Sequence, residues 1–358
     1  MATDKKVKRP KNDKKKGGGI GGWFRRYRWF FFIAGGVALI LCGLVLIYAL
    51  KPYTGDAAWV YIPRDADTET VRDSLQHSLG DGIGERVYSL WRLQGGNPSR
   101  SHGAYLIKKG EWAVKIARDI KRGLQTPVKL SWSDARTMEQ LARKVTKTIE
   151  CTPEEFLAAC HDVLPGQGFT PEQFPAAFIP DSYEMYWSTS PHKVVSKLLN
   201  YRNKFWTDER VANAAELGLK PVDVATLASI VEEESAKSDE RPKIARLYIN
   251  RLQRKMLLQA DPTVKFAVGN FGLRRILNEH LSVESPYNTY KHIGLPPGPI
   301  RIPSRSGLEA VLAAPGHDYL YMCAKEDFSG YHNFARDYAT HLSNARRYQQ
   351  ELNRRNIH

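Results

Sequence analysis

The sequence predicts an α+β protein in three parts: a single N-terminal transmembrane helix, a small βααβ subdomain, and a larger α+β domain. Three observations predict it. Trp29–Leu50 is a run of 22 residues without a charge, standing behind a strongly basic tail. Between residues 59 and 149, short strand-like stretches alternate with stretches of helical periodicity. From about residue 221, two amphipathic helices lead into segments rich in Pro, Gly, Asn and Tyr. A length of 358 residues suits two modest folded domains.

The tail comes first. The chain carries 53 Lys plus Arg against 38 Asp plus Glu, a formal charge of +15. Residues 1–28 hold 11 basic and 2 acidic residues, a local +9, which leaves 42 against 36 for the rest. Basicity confined to one short tail argues against a nucleic-acid partner and for a topogenic segment facing lipid headgroups. A hydrophobic content of 42% with 17 Tyr excludes wholesale disorder. Four Cys, one of them inside the apolar run, make neither a disulfide scaffold nor a zinc site.

The charge-free run 29–50 is about 33 Å long as a helix, enough for a hydrocarbon layer of about 30 Å. Arg25, Arg26, Arg28 and the earlier lysines precede it, and Lys51 alone follows closely. The positive-inside rule then places the N-terminus in the cytoplasm and residues 51–358 outside. Trp23, Tyr27 and Trp29 at one end, with Tyr48 and Tyr53 at the other, read as interfacial belts. A cleaved signal peptide would have a shorter apolar region and a small-x-small site, and none follows Leu50. Residues 51–58 form a tether of at most about 26 Å to the first strand.

Residues 59–63 and 103–107 read as strands, and 69–79 and 84–93 as two short helices between them. This βααβ order has the size of a LysM carbohydrate-binding module. A helix over 111–122 and a strand over 127–132 complete the subdomain and connector, residues 55–133. Residues 135–149, 153–163 and 193–206 follow as helices, and no fixed-period repeat appears. Thr152-Pro153-Glu154-Glu155 is a capping box with Pro at the first helical position. It sets Cys151 and Cys160 at either end of a helix, about 13 Å apart and too far for a bridge.

Val222–Ser235 is a helix whose Val224, Leu227, Ala228 and Val231 form one apolar stripe. On the helical wheel Glu233 lies opposite that stripe, in water, while Glu232 and Glu234 flank it. The flanking positions are where burial raises a carboxyl pKa, and the wheel does not choose between them. Arg241–Arg254 is a second helix, followed by LLQADPTV (257–264), YNTY (287–290) and GLPPGPI (294–300). The Pro-rich run suits the rigid rim of a cleft. Tyr287 and Tyr290 offer faces for sugars, and Gln259, Asp261 and Asn288 offer hydrogen bonds to hydroxyls. The competing reading makes YNTY a capped turn with a packed tyrosine and Asp261-Pro262 a helix start.

Taken in this order, ASIVEEES (228–235), YINRL (248–252), LLQADPTV, YNTY and GLPPGPI resemble the endolytic murein transglycosylases, the MltG or YceG-like family. FIPDSYEMYW (178–187) resembles that family's FPDTY-type segment, and the likeness runs over about residues 55–350. It implies a bacterial inner-membrane enzyme with a LysM-like subdomain and a catalytic domain over 134–350. Such enzymes cut peptidoglycan strands internally between N-acetylmuramic acid and N-acetylglucosamine, leaving 1,6-anhydro ends without water. The resemblance assigns catalysis to Glu232, the residue closing ASIVE, and aligns Glu234 with a second acidic position. It marks Glu234, Asn250, Gln259, Asp261, Thr263, Tyr287, Asn288 and Tyr290 as expected substrate contacts. It implies no cofactor, and as partners it implies glycan strands, the lipid bilayer and peptidoglycan synthases of growth or division. RIPSRSG (301–307) departs from the family's Asn-Pro-Gly-like turn, and Asn333 departs within a Gly-x-His-x-Phe-like element. His332 and His341 are therefore left without a role.

One carboxyl can protonate the glycosidic oxygen and then take the proton of the attacking C6 hydroxyl. Hydrolases ordinarily pair two carboxyls instead. A lysozyme-like hydrolase and a non-catalytic wall-binding protein are the rival readings. An aminodeoxychorismate lyase, a label carried by some family members, conflicts with export and lacks a cofactor motif. No H-E-x-x-H, G-x-S-x-G or P-loop pattern is present, and no metal site is expected.

Overall fold

A computed structural model describes residues 20–273 and 276–355, with side chains from Tyr27 onward. The basic tail of residues 1–19 lies outside the described residues. The described residues form two compact units, one within residues 20–101 and 105–124 and one within residues 102–104 and 125–355.

The first unit begins with helix α1 (Ile20–Ala49). Its segment Tyr27–Ala49 is long and apolar enough to cross a membrane. Its large side chains are uncovered by protein, with Phe32 71%, Leu39 75% and Ile47 70% exposed. A helix apolar on every face and bare on every face suits a membrane anchor or a signal sequence. The residues after it are less slack than a free tether. Ala113 N–H donates to the Lys51 carbonyl (3.1 Å), Tyr53 N–H to that of Glu111 (2.8 Å) and Gly110 N–H to that of Tyr53 (2.7 Å). Arg86 also donates to the Tyr48 carbonyl at 2.9 Å and lies 4.1 Å over its ring.

Strand β1 (Ala58–Ile62), helices α2 (Thr68–Leu79), α3 (Asp81–Leu93) and the short α4 (Pro98–Ser101), strand β2 (Gly103–Ile107) and helix α5 (Ala113–Lys121) follow. β1 and β2 pair in a two-stranded sheet, so the expected βααβ order holds. Asp67 caps α2 by accepting the Thr70 N–H at 2.7 Å, and Gly80 (φ +82°) separates α2 from α3. Val60, Ile62, Leu75, Val87, Trp91, Ile116 and Ile120 meet in its core. The buried Trp91 Nε1 donates to Ser101 Oγ at 2.9 Å, so the indole enters without an unpaired donor.

The second unit runs β3 (Val128–Ser131), α6 (Met138–Thr146), α7 (Pro153–Val163), two 3-10 turns (Pro165–Gln167 and Pro171–Ala177), β4 (Ser182–Met185), α8 (Pro191–Phe205) and α9 (Asp208–Glu216). Then come α10 (Pro221–Glu234), α11 (Arg241–Gln253), α12 (Asp261–Val268), α13 (Asn278–Leu281), α14 (Arg305–Leu312), β5 (Tyr321–Ala324), β6 (His332–Ala335) and α15 (Tyr338–Arg354). β3 pairs antiparallel with β4, Val128 opposite Met185 and Ser131 opposite Ser182. That pairing makes the expected connector before residue 134 part of this unit. β5 pairs antiparallel with β6, Tyr321 opposite Ala335 and Ala324 opposite His332. Each sheet among the described residues has two strands, so helix packing supplies the framework.

α10 is its axis. Every residue from Val224 to Glu232 is buried, because α11, α12, α14 and the Pro171–Ala177 turn all pack against it. Leu227, Ile230 and Val231 share one core with Ile244, Leu247 and Tyr248 of α11 and Leu308 and Val311 of α14. A helix covered on several sides no longer has a water face, and this decides where its three terminal glutamates go. The Pro-rich run joins the same packing. Ile300 N–H donates to Ser229 Oγ at 3.0 Å, and a Cβ on Gly298 would collide with the Glu172 backbone.

Candidate active site

The C-terminal turn of α10 sends its glutamates in different directions. Glu232, with a side chain 4% exposed, turns into the protein. Ser304, the N-cap of α14, donates its N–H to Glu232 Oε2 at 3.0 Å and its hydroxyl to Oε1. Arg241 Nη1 reaches Oε1 at 3.4 Å, and Arg301 Nε lies 3.9 Å from Oε2. Gly307 closes the other side: a Cβ there would stand 2.6 Å from Glu232 Cδ. Glu232 thus binds α10 to α11 and to the start of α14, and its carboxyl is walled off. This differs from the expectation that it faces substrate.

Glu233 is not in water either. Arg136 Nη2 donates to its Oε2 at 2.7 Å and Arg301 Nη1 to its Oε1 at 2.8 Å, and its side chain is 19% exposed. The helical wheel saw one apolar stripe. It had no knowledge of two guanidiniums arriving from residues 136 and 301.

Glu234 lines a cavity of about 370 Å³, within the ordinary size of a ligand pocket, and neither Glu232 nor Glu233 shares in that lining. Gln259, Asp261 and Tyr290, all expected substrate contacts, line it as well. Tyr248, Arg251, Cys323, His332 and His341 complete the chemically active wall. Tyr248 OH donates to Glu234 Oε1 at 2.8 Å, and Tyr290 OH donates to Asp261 Oδ1 at 2.6 Å. Gln259 sits at φ +52°, a left-handed conformation that side chains other than glycine rarely take. Burial away from water pushes the Glu234 carboxyl up to about 7, with Asp261 adding to the effect and the Tyr248 hydrogen bond opposing it. Burial also lowers the Arg251 pKa and, aided by Arg251, that of His341.

The remaining expected contacts lie elsewhere. Asn250 is buried and donates to the carbonyls of His317 (2.7 Å) and Tyr319 (3.1 Å), tying α11 to the chain before β5. Thr263 is fully buried and bonds Ala260 O (2.7 Å) and Thr289 Oγ1 (2.8 Å). Asn288 is fully buried, donating to Leu281 O and Val283 O and accepting from Tyr290 N–H at 3.0 Å. Tyr287 packs on Phe266 with ring centroids 4.6 Å apart. So YNTY is a capped turn with a packed tyrosine and Asp261 does begin α12, while Tyr290 and Asp261 still face the cavity.

Sequence reasoning did not pick Tyr248 and Arg251 as cavity residues, and it named His332 without giving it a role. A signal existed for two of them: Tyr248 and Arg251 are i, i+3 partners on one helix face.

The fold and site can be set beside known proteins. The profile of the YceG-like family matches residues 60–347. The endolytic murein transglycosylase of Bacillus subtilis (strain 168) is 48% identical over 102 residues, 28% of this chain and 28% of its own. That of Streptococcus pneumoniae serotype 2 (strain D39 / NCTC 7466) is 32% identical over 302 residues, 81% of this chain and 51% of its own. The chain therefore spans about half the length of the pneumococcal relative, and less of the Bacillus one. The crystal structure of a yceG-like protein from Listeria monocytogenes has the same fold, with a TM-score of 0.52 at 22% identity, covering 80% of this chain and 98% of that one. With a match running from β1 into α15, this chain belongs to the YceG-like family.

Proposed function

We propose that the chain is a membrane-anchored endolytic peptidoglycan lytic transglycosylase in which Glu234, rather than Glu232, is the acid and base. The observation that carries this reading is the placement of Glu234 in the cavity with a carboxyl pushed up to about 7. A carboxyl that keeps its proton near neutral pH can give it to the glycosidic oxygen. Its anion, sunk beside Tyr248 and Arg251, then has reason to take a proton back. The names of the Bacillus and pneumococcal relatives support glycan as the substrate. Gln259, Asp261 and Tyr290 supply polar contacts for sugar hydroxyls.

A second reading has one observation in its favour. Asp261 lines the same cavity and is close enough to raise the Glu234 pKa, so a pair of carboxyls is available for hydrolysis. The two differ in the attacking oxygen. Digestion of purified peptidoglycan in oxygen-18 water is expected to give anhydro-muramoyl ends without label, because the tethered C6 hydroxyl has a large effective-concentration advantage. Label at most new ends would make it a hydrolase, and an undigested glycan would make the chain a wall-binding protein.

The pH dependence follows from the same carboxyl. Below about pH 7 Glu234 holds its proton and can act as the acid, so kcat/KM is expected to fall as pH rises through about 7. A rate flat to pH 9 would remove Glu234 from that role.

The rest of the proposal concerns place. α1 anchors the chain in the inner membrane with the basic tail cytoplasmic, as the charge asymmetry around residues 29–50 supports. The βααβ subdomain serves as a LysM-like glycan-binding part, and synthases of growth or division are the partners.

A further inference from the structure

The chain just past the apolar span is stitched to a segment far along in sequence. Pro52 forms an antiparallel bridge with Trp112, and the hydrogen bonds of Lys51 to Ala113 and of Tyr53 to Gly110 and Glu111 flank that bridge. Arg86 of α3 adds a second clasp on the last turn of α1, through the Tyr48 carbonyl and ring. A free carbonyl at a helix C-terminus takes a cation both as a hydrogen-bond donor and as a match for the dipole. Tyr53, expected to sit in an interfacial belt, is instead 7% exposed in the core of this unit, its hydroxyl donating to Asp56 O at 2.8 Å. Extended residues alternate sides and paired residues share one, so Pro52 and Trp112 face away from that core. Trp112 is 53% exposed, beside a fully buried Ala113. Paired Cα atoms lie about 5 Å apart and two extended residues add at most about 7 Å, so the Trp112 backbone stands within about 12 Å of Leu50. The headgroup layer beyond the hydrocarbon is about 5–8 Å deep, which brings an outward indole at that distance to its level. Lys51, Lys108 and Lys109 are exposed in the same paired segments, while the neighbouring acid Glu111 is held by Lys115 at 2.9 Å.

Resting on the reading that α1 is a membrane anchor, we infer that this face is a membrane-docking surface for anionic phospholipid. Trp112 sits in the headgroup layer of the leaflet from which α1 emerges, and Lys51, Lys108 and Lys109 hold lipid phosphates around it. An indole suits that layer because its body is apolar and its N–H donates to headgroup oxygens. Trp112 thus fills the interfacial place that Tyr53 gives up by turning into the core. The βααβ unit is set down on the bilayer by a side chain from the start of α5, instead of swinging on residues 51–58 as a tether.

The test uses the full chain with its 8 Trp replaced by 5-fluorotryptophan, in nanodiscs of equal parts phosphatidylglycerol and phosphatidylcholine. Trp112→Phe, an exposed and conservative change, assigns the Trp112 fluorine resonance by its loss. Two paramagnetic probes then report depth: a nitroxide on the lipid headgroup and a water-soluble gadolinium chelate. The headgroup nitroxide is expected to broaden Trp112 strongly and the chelate to broaden it weakly. With the nitroxide carried by phosphatidylglycerol, broadening should exceed that from labelled phosphatidylcholine by about fivefold, one lysine's worth of attraction to an anionic surface. Lys108→Gln with Lys109→Gln should reduce that preference and leave Trp112 at the same depth. Trp29, 70% exposed at the other end of the span, reports insertion separately. If neither Trp29 nor Trp112 feels the lipid-borne label, the anchor reading fails and takes the inference with it. If Trp29 feels it while the chelate dominates at Trp112, the docking surface alone is overturned. A Trp112 resonance that ignores the lipid label and shifts on adding soluble muramoyl glycan would also overturn it, giving the indole to sugar. Equal broadening from the two labelled lipids would overturn the part assigned to the lysines.

Discussion

Glu234→Gln is expected to abolish cleavage, a loss of at least about 10²–10⁴-fold, while making the folded protein more stable near pH 8. The amide keeps the shape and can still accept from Tyr248 OH, but it has no proton to give. The stability gain follows from linkage. Folding raises this carboxyl from an ordinary 4.5 to about 7. Below the lower value both states hold the proton and the group costs nothing. As pH rises between the two values, the unfolded chain ionises first and the folded state falls behind. Above about 7 the full penalty is present, about 1–3 kcal/mol once the opening to the cavity is allowed for. Wild type and Glu234→Gln should therefore melt alike near pH 4 and diverge near pH 8, the variant higher. Glu232→Gln should behave oppositely. It weakens contacts to Ser304, Arg241 and Arg301, costs about 1–3 kcal/mol, and loses activity only as far as it unfolds. A folded, inactive Glu232→Gln beside an active Glu234→Gln would return the acid role to Glu232.

Arg251→Leu should be the most damaging substitution to the fold among the cavity residues, costing about 3–5 kcal/mol. Arg251 is 7% exposed, and its Nε donates to Leu320 O at 2.6 Å. Its Nη1 reaches Leu257 O (3.1 Å), Leu258 O (2.9 Å) and Gln259 Oε1 (3.3 Å). One guanidinium therefore fixes both the approach to β5 and the turn that carries Gln259 and Asp261. A leucine would leave four acceptors without this donor, the Leu258 and Leu320 carbonyls in buried contacts, and remove the cation beside Glu234. Arg251→Lys should recover part of the stability, because a point charge cannot reproduce the planar fork that spans these acceptors. Urea unfolding of the three proteins decides the matter. A leucine variant with the wild-type midpoint would show that the carbonyls find other donors.

Most of the helices were legible because their signals are local. The Thr152–Glu155 capping box does begin α7, with the reciprocal hydrogen bonds in place. Apolar periodicity marked α2, α10 and α11 to within a residue or two of their observed ends. Gln259, Asp261 and Tyr290 were picked for chemistry and do share a cavity. Asn250, Thr263 and Asn288 were picked from the same motifs and turned out to bond backbone or neighbouring hydroxyls. A polar residue in a turn or helix of this kind satisfies buried carbonyls as readily as it meets a ligand, and sequence does not distinguish the two.

By itself, then, the sequence determined the apolar span, the order of helices and strands, and the cluster of glutamates at the end of α10, since each depends on neighbours within a few residues. Which glutamate lines the cavity was decided only by tertiary structure. Glu232 and Glu234 are equivalent on an isolated helix, each flanking the apolar stripe. They become different when Ser304, Gly307 and two arginines close over one, and Gln259, Asp261 and Tyr290 leave a cavity around the other. All of them but Arg241 lie far along the chain from α10. Their effect on a carboxyl is a matter of distance and burial in space, which helical periodicity does not encode.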